Sequence, residues 1–237
     1  MTLLRVENVS KRFGGITANQ DVSFALGAGQ IVGLIGPNGA GKTTMFNCIA
    51  GYSPPTSGEI LLEGVKISGL NPEQCARAGV ARTFQIARTF TSMTALENVM
   101  VGAFLLNRNV TQARHSAARL LHFVNLGQFQ DKPAASMTIS EQRRLAVARA
   151  LAIQPKLLLM DEVMAGLNPT EVKETVEVVL KIREKGISCL VVEHVLEGIM
   201  PIADAIVVLD YGQKIAEGKP ADVSNDPKVI AAYLGDE

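Results

Sequence analysis

Four runs of the chain are apolar almost throughout: Gln30–Ile35, Lys156–Met160, Ile187–Val192 and Ala205–Leu209. They are too short for helices and lack polar alternation, which predicts strands buried on both faces, as in a parallel sheet. Helical patterns lie between them. Met45–Ala50 suits a helix, and Asn168-Pro169-Thr170 reads as a helix start, with Asn as cap and Pro in the first turn. Val172, Val176, Val179 and Leu180 then recur at helical spacing until Gly186 ends the helix. Strands alternating with helices predict an α/β protein with helices packed on its sheet. Asp210-Tyr211-Gly212 then turns the chain into a short returning strand, Lys214–Ala216.

A second pattern has period 2. Leu3–Val9 alternates apolar and polar positions, Val22–Leu26 is a further strand, and Ser57–Gly64 reads as turn, strand and turn. Together they predict a small antiparallel sheet. From about Pro72 to Ala150 strand signals fade and helical periodicity takes over, with Thr111–Val124 as one amphipathic helix. His115 and His122 share a face of it; with no carboxylate or cysteine at metal-ligand spacing, they read as ordinary surface or packing residues.

The candidate chemistry starts after the first apolar run. Gly36-Pro37-Asn38-Gly39-Ala40-Gly41-Lys42-Thr43-Thr44 is a complete G-x-x-x-x-G-K-T phosphate-binding loop between a strand and a helix. Glycines let the backbone wrap a triphosphate with several N–H groups pointing inward, and the helix N-terminus adds partial positive charge. Lys42 suits the β- and γ-phosphates, and the Thr43 hydroxyl suits Mg²⁺. The second apolar run ends in Asp161-Glu162, which puts two acids at the carboxyl edge of the sheet, where open α/β folds bind ligands. Asp161 suits the metal; Glu162 suits orienting or deprotonating an attacking water. His194 follows the third run and stands at the same edge, within reach of a γ-phosphate. These residues imply binding of a nucleoside triphosphate.

Composition narrows the setting. The chain has 237 residues and 23 basic against 23 acidic side chains, a balance that gives no support for a nucleic-acid partner. Three widely spaced cysteines, Cys48, Cys75 and Cys189, form neither a disulfide framework nor a zinc pattern and read as buried thiols. No signal peptide is expected from the charged N-terminal residues, and the longest uncharged stretch, Val22–Gly41, holds the phosphate loop and so cannot be a membrane span. The expectation is a soluble chain whose membrane association, if it has one, comes through a partner.

The phosphate loop, Arg82-Thr83-Phe84-Gln85, Asp161-Glu162, Ala165-Gly166-Leu167-Asn168-Pro169 and Val192-Glu193-His194 together resemble an ATP-binding cassette (ABC) ATPase subunit along the whole chain. Within that superfamily the chain is most similar to the ATP-binding subunits of branched-chain amino acid importers, through Lys11-Arg12-Phe13-Gly14-Gly15, Ala165–Pro169 and Val207-Val208-Leu209-Asp210-Tyr211-Gly212. The resemblance implies one P-loop cassette: a RecA-like core with an antiparallel β subdomain (1–85 and 151–237) and a helical subdomain (86–150). It implies ATP and Mg²⁺ as ligands, Phe13 stacked on adenine, Gln85 between the metal and water site and a membrane subunit, and His194 as the γ-phosphate switch. By residue physics alone Phe13 would be an ordinary core aromatic and Gln85 a weak candidate. The implied partners are integral membrane permease subunits, a second and non-identical ABC ATPase subunit and, indirectly, an extracytoplasmic solute-binding protein. The implied location is the cytoplasmic face of the cell membrane.

Several positions depart from that family. Where it has a Leu-Ser-x-Gly-Gln signature, expected to contact the γ-phosphate bound by the opposite subunit, this chain has Met137-Thr138-Ile139-Ser140-Glu141 before a well-matched Gln142–Leu151. Ser140 adds a Cβ where backbone should approach phosphate, and would penalise a positive φ. Glu141 brings a carboxylate towards a triphosphate, a repulsion of about 4 kcal/mol at a few ångströms and an effective dielectric near 20. Val163 replaces a Pro, Val195 an Asp, and the helical segment is short for the subfamily. Ser140 and Glu141 imply an asymmetric pair in which this chain's ATP site is completed by a different subunit; the alternative is that both residues are tolerated and both sites work. A soluble cassette acting on nucleic acid or ribosomes and a P-loop kinase are the alternatives; neutral charge and the Gln142–Leu151 tail speak against them.

Overall fold

Aliphatic runs buried on both faces form the centre of the molecule, which is a computed structural model describing residues 1–83, 89–106 and 109–234. Strands β3 (Ile31–Ile35), β7 (Leu157–Asp161), β8 (Ser188–Val192) and β9 (Ala205–Asp210) lie parallel in one six-stranded sheet of order β10-β9-β3-β8-β7-β6. The returning strand β10 (Gln213–Gly218) closes one edge antiparallel to β9. The other edge is β6 (Val80–Arg82), parallel to β7. This strand lies where the sequence pattern suggested only helix. Three residues beside Gly79 are too few to show a period, and pairing with β7 decides their conformation.

Alternate residues of the parallel strands enter two separate cores. Val32, Leu34, Leu159, Leu190 and Val207 pack with Met45, Phe46 and Ile49 of α1 (Lys42–Ile49). On the same side lies an antiparallel sheet of order β2-β1-β4-β5, made by β1 (Thr2–Phe13), β2 (Ile16–Gly27), β4 (Ser57–Leu62) and β5 (Val65–Lys66). The opposite residues, among them Ile31, Ile35, Leu158, Met160 and Val191, pack with buried residues of the helices. The small antiparallel sheet therefore forms as the alternating pattern predicted, with β1 and β2 longer than their apolar cores because their outer residues still pair across the hairpin.

Between β6 and β7 three helices pack on one another: α3 (Ala95–Ala103), α4 (Val110–Phe123) and α5 (Ile139–Leu151), preceded by α2 (Pro72–Ala78). Capping boxes start α2 at Asn71, α3 at Thr94 and α5 at Thr138. Helix α4 buries Ala113, Ala117 and Leu121 and turns His115 and His122 to its exposed side. Helix α6 (Pro169–Glu184) is capped by Asn168, whose carboxamide oxygen accepts from Thr170 N and Glu171 N at 3.0 Å each, with Pro169 in the first turn. It buries Thr175, Val178, Val179 and Ile182, whereas Val172, Val176 and Leu180 pack at the edge of the same core. Short helices α7 (Leu196–Ile199) and α8 (Pro220–Ser224) and helix α9 (Pro227–Leu234) complete the described residues. Val195, in place of an Asp, stands at the start of α7 with no side-chain cap.

Candidate functional site

The register of the parallel sheet levels the ends of its strands. Leu34 pairs with Val192, Asp161 pairs with Val192, and Ile35 pairs with Val208. Residues that leave β3, β7 and β8 at their carboxyl ends, namely Gly36, Asp161-Glu162 and Glu193-His194, therefore line one edge. Sequence separations of more than a hundred residues vanish in this arrangement.

The loop Gly36–Gly41 leaves β3 with glycines in the left-handed region: φ is 148° at Gly36, 82° at Gly39 and 94° at Gly41. A Cβ at Gly36 would lie 2.0 Å from the Leu209 carbonyl oxygen, and one at Gly41 2.4 Å from that of Ala18. At Gly39 a Cβ would meet nothing within 4 Å, so this residue faces open space. Helix α1 starts at Lys42 with no side-chain cap and no acid in its first turn, which leaves its N-terminal N–H groups suited to an anion. The buried Lys42 ammonium donates to the carbonyls of Gly36 and Pro37 at 2.7 Å each. Burial lowers its pKa, and the carboxylates of Glu162 and Asp161 oppose that shift. A phosphate would offer this cation charged oxygens in place of neutral carbonyls. Thr43 is exposed beside it and Thr44 half-buried.

Asp161, 2% exposed, accepts from Arg82 Nη2 at 2.8 Å through Oδ2, and its backbone N–H donates to Thr83 Oγ1 at 3.1 Å. Its Oδ1 is buried and has no hydrogen-bond partner. A buried carboxylate oxygen left over in this way suits a cation, so the residues present fit a divalent metal held by Asp161 and the Thr43 hydroxyl. Glu162 adopts a left-handed backbone (φ 50°), its N–H donating to Val192 O at 2.8 Å, and its Oε1 lies 3.0 Å from His194 Nε2. Both are partly open to solvent, within reach of a water molecule. Phe13 stands at the β1–β2 hairpin with its ring half exposed and the Lys11 ammonium 4.9 Å from the ring centroid. Gln85 lies outside the described residues.

Behind this edge sits Glu193, fully buried. Its Oε1 accepts from Met164 N at 2.7 Å, which ties the end of β8 to the segment after Glu162. Arg143 of α5 holds the same segment through the carbonyls of Val163 and Ala165. Burial pushes the Glu193 carboxyl up to about 7; the Met164 N–H and Arg143 pull it down, and Glu162 pushes it further up. The folded protein therefore binds this proton more tightly than the unfolded chain. Its stability falls as pH rises from the ordinary carboxyl value through 7. Glu193→Gln keeps an acceptor for Met164 N and is expected to remove a loss of about 3 kcal/mol between pH 5 and pH 8. Urea unfolding at the two pH values checks this: equal slopes for variant and wild type would rule it out.

The signature stretch corrects two of the expectations. Thr138 caps α5 and Ser140 lies in its first turn with helical backbone, so no positive φ is needed there. Glu141 does not point a bare charge outward. Its Oε2 accepts from Thr138 N at 2.8 Å and from Lys132 Nζ at 2.7 Å. Burial alone would raise this carboxyl, but the Lys132 and Thr138 hydrogen bonds and the Lys132 and Arg144 charges carry it below the ordinary value. The full repulsion of a free carboxylate does not apply to a charge paired in this way. What stands at the start of α5 is Ser140, 3% exposed with an unpartnered Oγ, and the side chain of Ile139, 67% exposed.

Arg82, Lys132, Arg143 and Glu193 escaped the sequence reading as site residues. Each acts on a partner far along the chain or across a turn, and no local spacing announces it.

A glycine cradle at the end of a central strand, followed by acids and a histidine on neighbouring strand ends, defines a P-loop nucleoside triphosphatase. The chain belongs to the ABC transporter family, whose model matches residues 19–165, and it is an ABC-type transport ATPase. A second model, the branched-chain amino acid ATP-binding cassette transporter, matches residues 213–237. The chain is 40% identical over 250 residues to the high-affinity branched-chain amino acid transport ATP-binding protein BraF of Pseudomonas aeruginosa, covering 99% of this chain and 98% of the relative. Identity and coverage are the same for LivG of Escherichia coli, which carries the same description. It is 33% identical to the lipopolysaccharide export system ATP-binding protein LptB of Haemophilus influenzae, over 100% of this chain and 99% of that one. Among solved structures, a nucleotide-free ATP-binding cassette from an ABC transporter superposes with a TM-score of 0.92 at 31% identity, covering 100% of both chains. A dimeric cassette in a post-hydrolysis state bound to ADP and Pi gives 0.84 at 26% identity, over 92% of this chain and 99% of that one.

Proposed function

We propose that this chain is the motor subunit of an importer for branched-chain amino acids or related small solutes, and that it works in a pair with a non-identical ATPase chain. The observation that carries the chemistry is the contact of 3.0 Å between Glu162 Oε1 and His194 Nε2 at the strand edge that also bears the phosphate loop. In this reading Gly36, Pro37, Asn38, Gly39, Ala40, Gly41, Lys42, Thr43 and Thr44 cradle the phosphates of ATP, and Phe13 stacks on adenine. Thr43 and Asp161, with Gln85, hold Mg²⁺, which when bound neutralises charge on the β- and γ-phosphates. Glu162 accepts the proton of the attacking water. His194 contacts the γ-phosphate, and its bond to Glu162 orients both side chains.

The choice of solute class is supported by the 40% relatives and by the match of residues 213–237; the export relative, at 33%, is the weaker analogy. Among the described residues no helix is long and apolar enough to cross a membrane. The partners in this reading are permease subunits, supported by the transport ATP-binding relatives, with a solute-binding protein acting through them on the far side. We take residues 86–150 as the helical subdomain that docks them from the cytoplasmic face. A groove of about 470 Å³ between that segment and the core, lined by Tyr52, Arg82, Phe90, Val101 and Arg149, supports this docking. Phe90 and Val101 of its lining stand partly exposed. Balanced charge gives no support for nucleic acid as a partner.

The asymmetric pair rests mainly on Ser140, which stands in place of a glycine, since Lys132 holds the Glu141 carboxylate. The Ser140 Cβ and hydroxyl add atoms at the start of α5, where a glycine would let an opposing phosphate approach bare backbone. The purified chain alone is expected to hydrolyse ATP slowly, and Ser140→Gly with Glu141→Gln to raise its rate at least about tenfold by restoring backbone access. An unchanged rate would count against asymmetry. Co-purification with a multi-span membrane subunit is expected; its absence would favour a soluble cassette.

A further inference from the structure

We infer that Arg82 is a positioning residue for the metal-binding carboxylate: it clamps one oxygen of Asp161 against α1 and leaves the other as the cation ligand. The inference rests on the reading of Asp161 as the metal holder. Arg82 ends β6, and its side chain is 7% exposed. Nη2 donates to Asp161 Oδ2 at 2.8 Å, and Nη1 donates to Asn47 Oδ1 at 2.5 Å. Asn47 belongs to α1, the helix whose first turn carries Lys42 and Thr43. One guanidinium thus joins β6, β7 and the phosphate-loop helix. Among the described residues, the rings of Phe46 and Tyr52 flank it, each with its centroid 5.7 Å from the central carbon.

The geometry distinguishes positioning from competition. A cation beside a metal-binding acid can compete for it, in which case removing the arginine would tighten metal binding. Here Arg82 meets Asp161 through Oδ2, and its Nη1 is anchored on Asn47. Asp161 Oδ1 is left buried without a partner. The planar fork can hold both anchors at once, which a lysine ammonium at the end of a flexible chain cannot do with the same rigidity. Thr83, the next residue, accepts from the Asp161 N–H, so the same strand end also fixes the backbone of the acid. Arg82 lines the groove between the core and the helical segment as well, which places the proposed docking surface and the metal carboxylate on either side of one side chain.

The test is Mn²⁺ binding to the full chain in the presence of ADP, followed by the loss of the free-ion paramagnetic signal. ADP affinity in EDTA serves as the control for folding. Arg82→Gln is expected to weaken Mn²⁺ binding by about 10-fold or more, with ADP binding in EDTA within about twofold, as for other residues that orient metal ligands. Arg82→Lys is expected to recover only part of that loss. Asn47→Ala, which removes just the second anchor, is expected to cost about threefold and gives the reading if Arg82→Gln does not fold. If Asp161→Asn weakens Mn²⁺ binding while Arg82→Gln and Asn47→Ala leave it unchanged or tighter, the positioning role is overturned. If Asp161→Asn itself has no effect, the assignment of the metal to Asp161 fails instead.

Discussion

Replacing Glu162 with glutamine is expected to slow ATP hydrolysis by about 10²–10⁴-fold while nucleotide affinity stays within about twofold. The side chain keeps its length and can still bond to His194, which lies 3.0 Å away. What it loses is a group able to take a proton. Glu162 sits at a left-handed backbone position, φ 50°, a conformation that costs of order 1 kcal/mol in a non-glycine residue. The cost is offset by the bond from its N–H to Val192 O at 2.8 Å, which joins β7 to β8 at the site. Glutamine keeps that backbone, so the loss should fall on turnover alone. Single-turnover phosphate release, with equilibrium nucleotide binding alongside, separates the two. A variant that retained a tenth of the wild-type rate would exclude Glu162 as the general base.

The second large effect belongs to Gly36. An alanine there would bring its Cβ to 2.0 Å from the carbonyl oxygen of Leu209 and 3.2 Å from the Ala40 Cβ, at a φ of 148°. Neither neighbour can swing aside. Leu209 is backbone in the central sheet, paired with β10, and Ala40 belongs to the loop itself. The loop must therefore move away from β9, which displaces the donors meant for phosphate. Gly36→Ala is expected to cost about 3 kcal/mol, a fall of roughly 6–12 °C in Tm for a chain of this size, and to weaken ATP binding by at least about tenfold. Gly39→Ala supplies the contrast. It meets no atom within 4 Å, and only its φ of 82° opposes the change, so about 1 kcal/mol is expected. Thermal melts of the two variants side by side decide the matter: equal losses would show that backbone conformation, not the Leu209 contact, sets the requirement at Gly36.

The sequence pattern gave access to most of the fold for specific reasons. Strands β3, β7, β8 and β9 are buried on both faces, so their residues needed no alternation and read as unbroken aliphatic runs. Helix α6 announced its start because Asn168 and Pro169 satisfy local requirements that any helix has. Strand β6 gave no such sign. It has three residues, and its place in the sheet depends on β7, about 75 positions later.

The signature stretch shows the other limit. In sequence, Glu141 is an acid where the family has an amide, and its charge is expected to meet the triphosphate. In the structure, Lys132 lies 2.7 Å from it, and the α5 N-terminus draws the carboxylate back on itself. An ion pair between a loop residue and a helix residue has no period and no fixed spacing, so no pattern could reveal it. Arg82 with Asp161, 79 positions apart, is the same case.

The sequence by itself determined the identity of the phosphate loop, the acids after the second buried run and the histidine after the third. Those features are local: a turn, a strand end and the residue types that phosphate and proton chemistry require. Only the tertiary structure decided that they lie level on one sheet edge, that Asp161 keeps one oxygen free because Arg82 holds the other, and that Glu141 is already paired. Those facts depend on strand register and on side chains meeting across long separations. Register is set by packing the whole sheet between two cores, a condition that no short stretch of the chain contains.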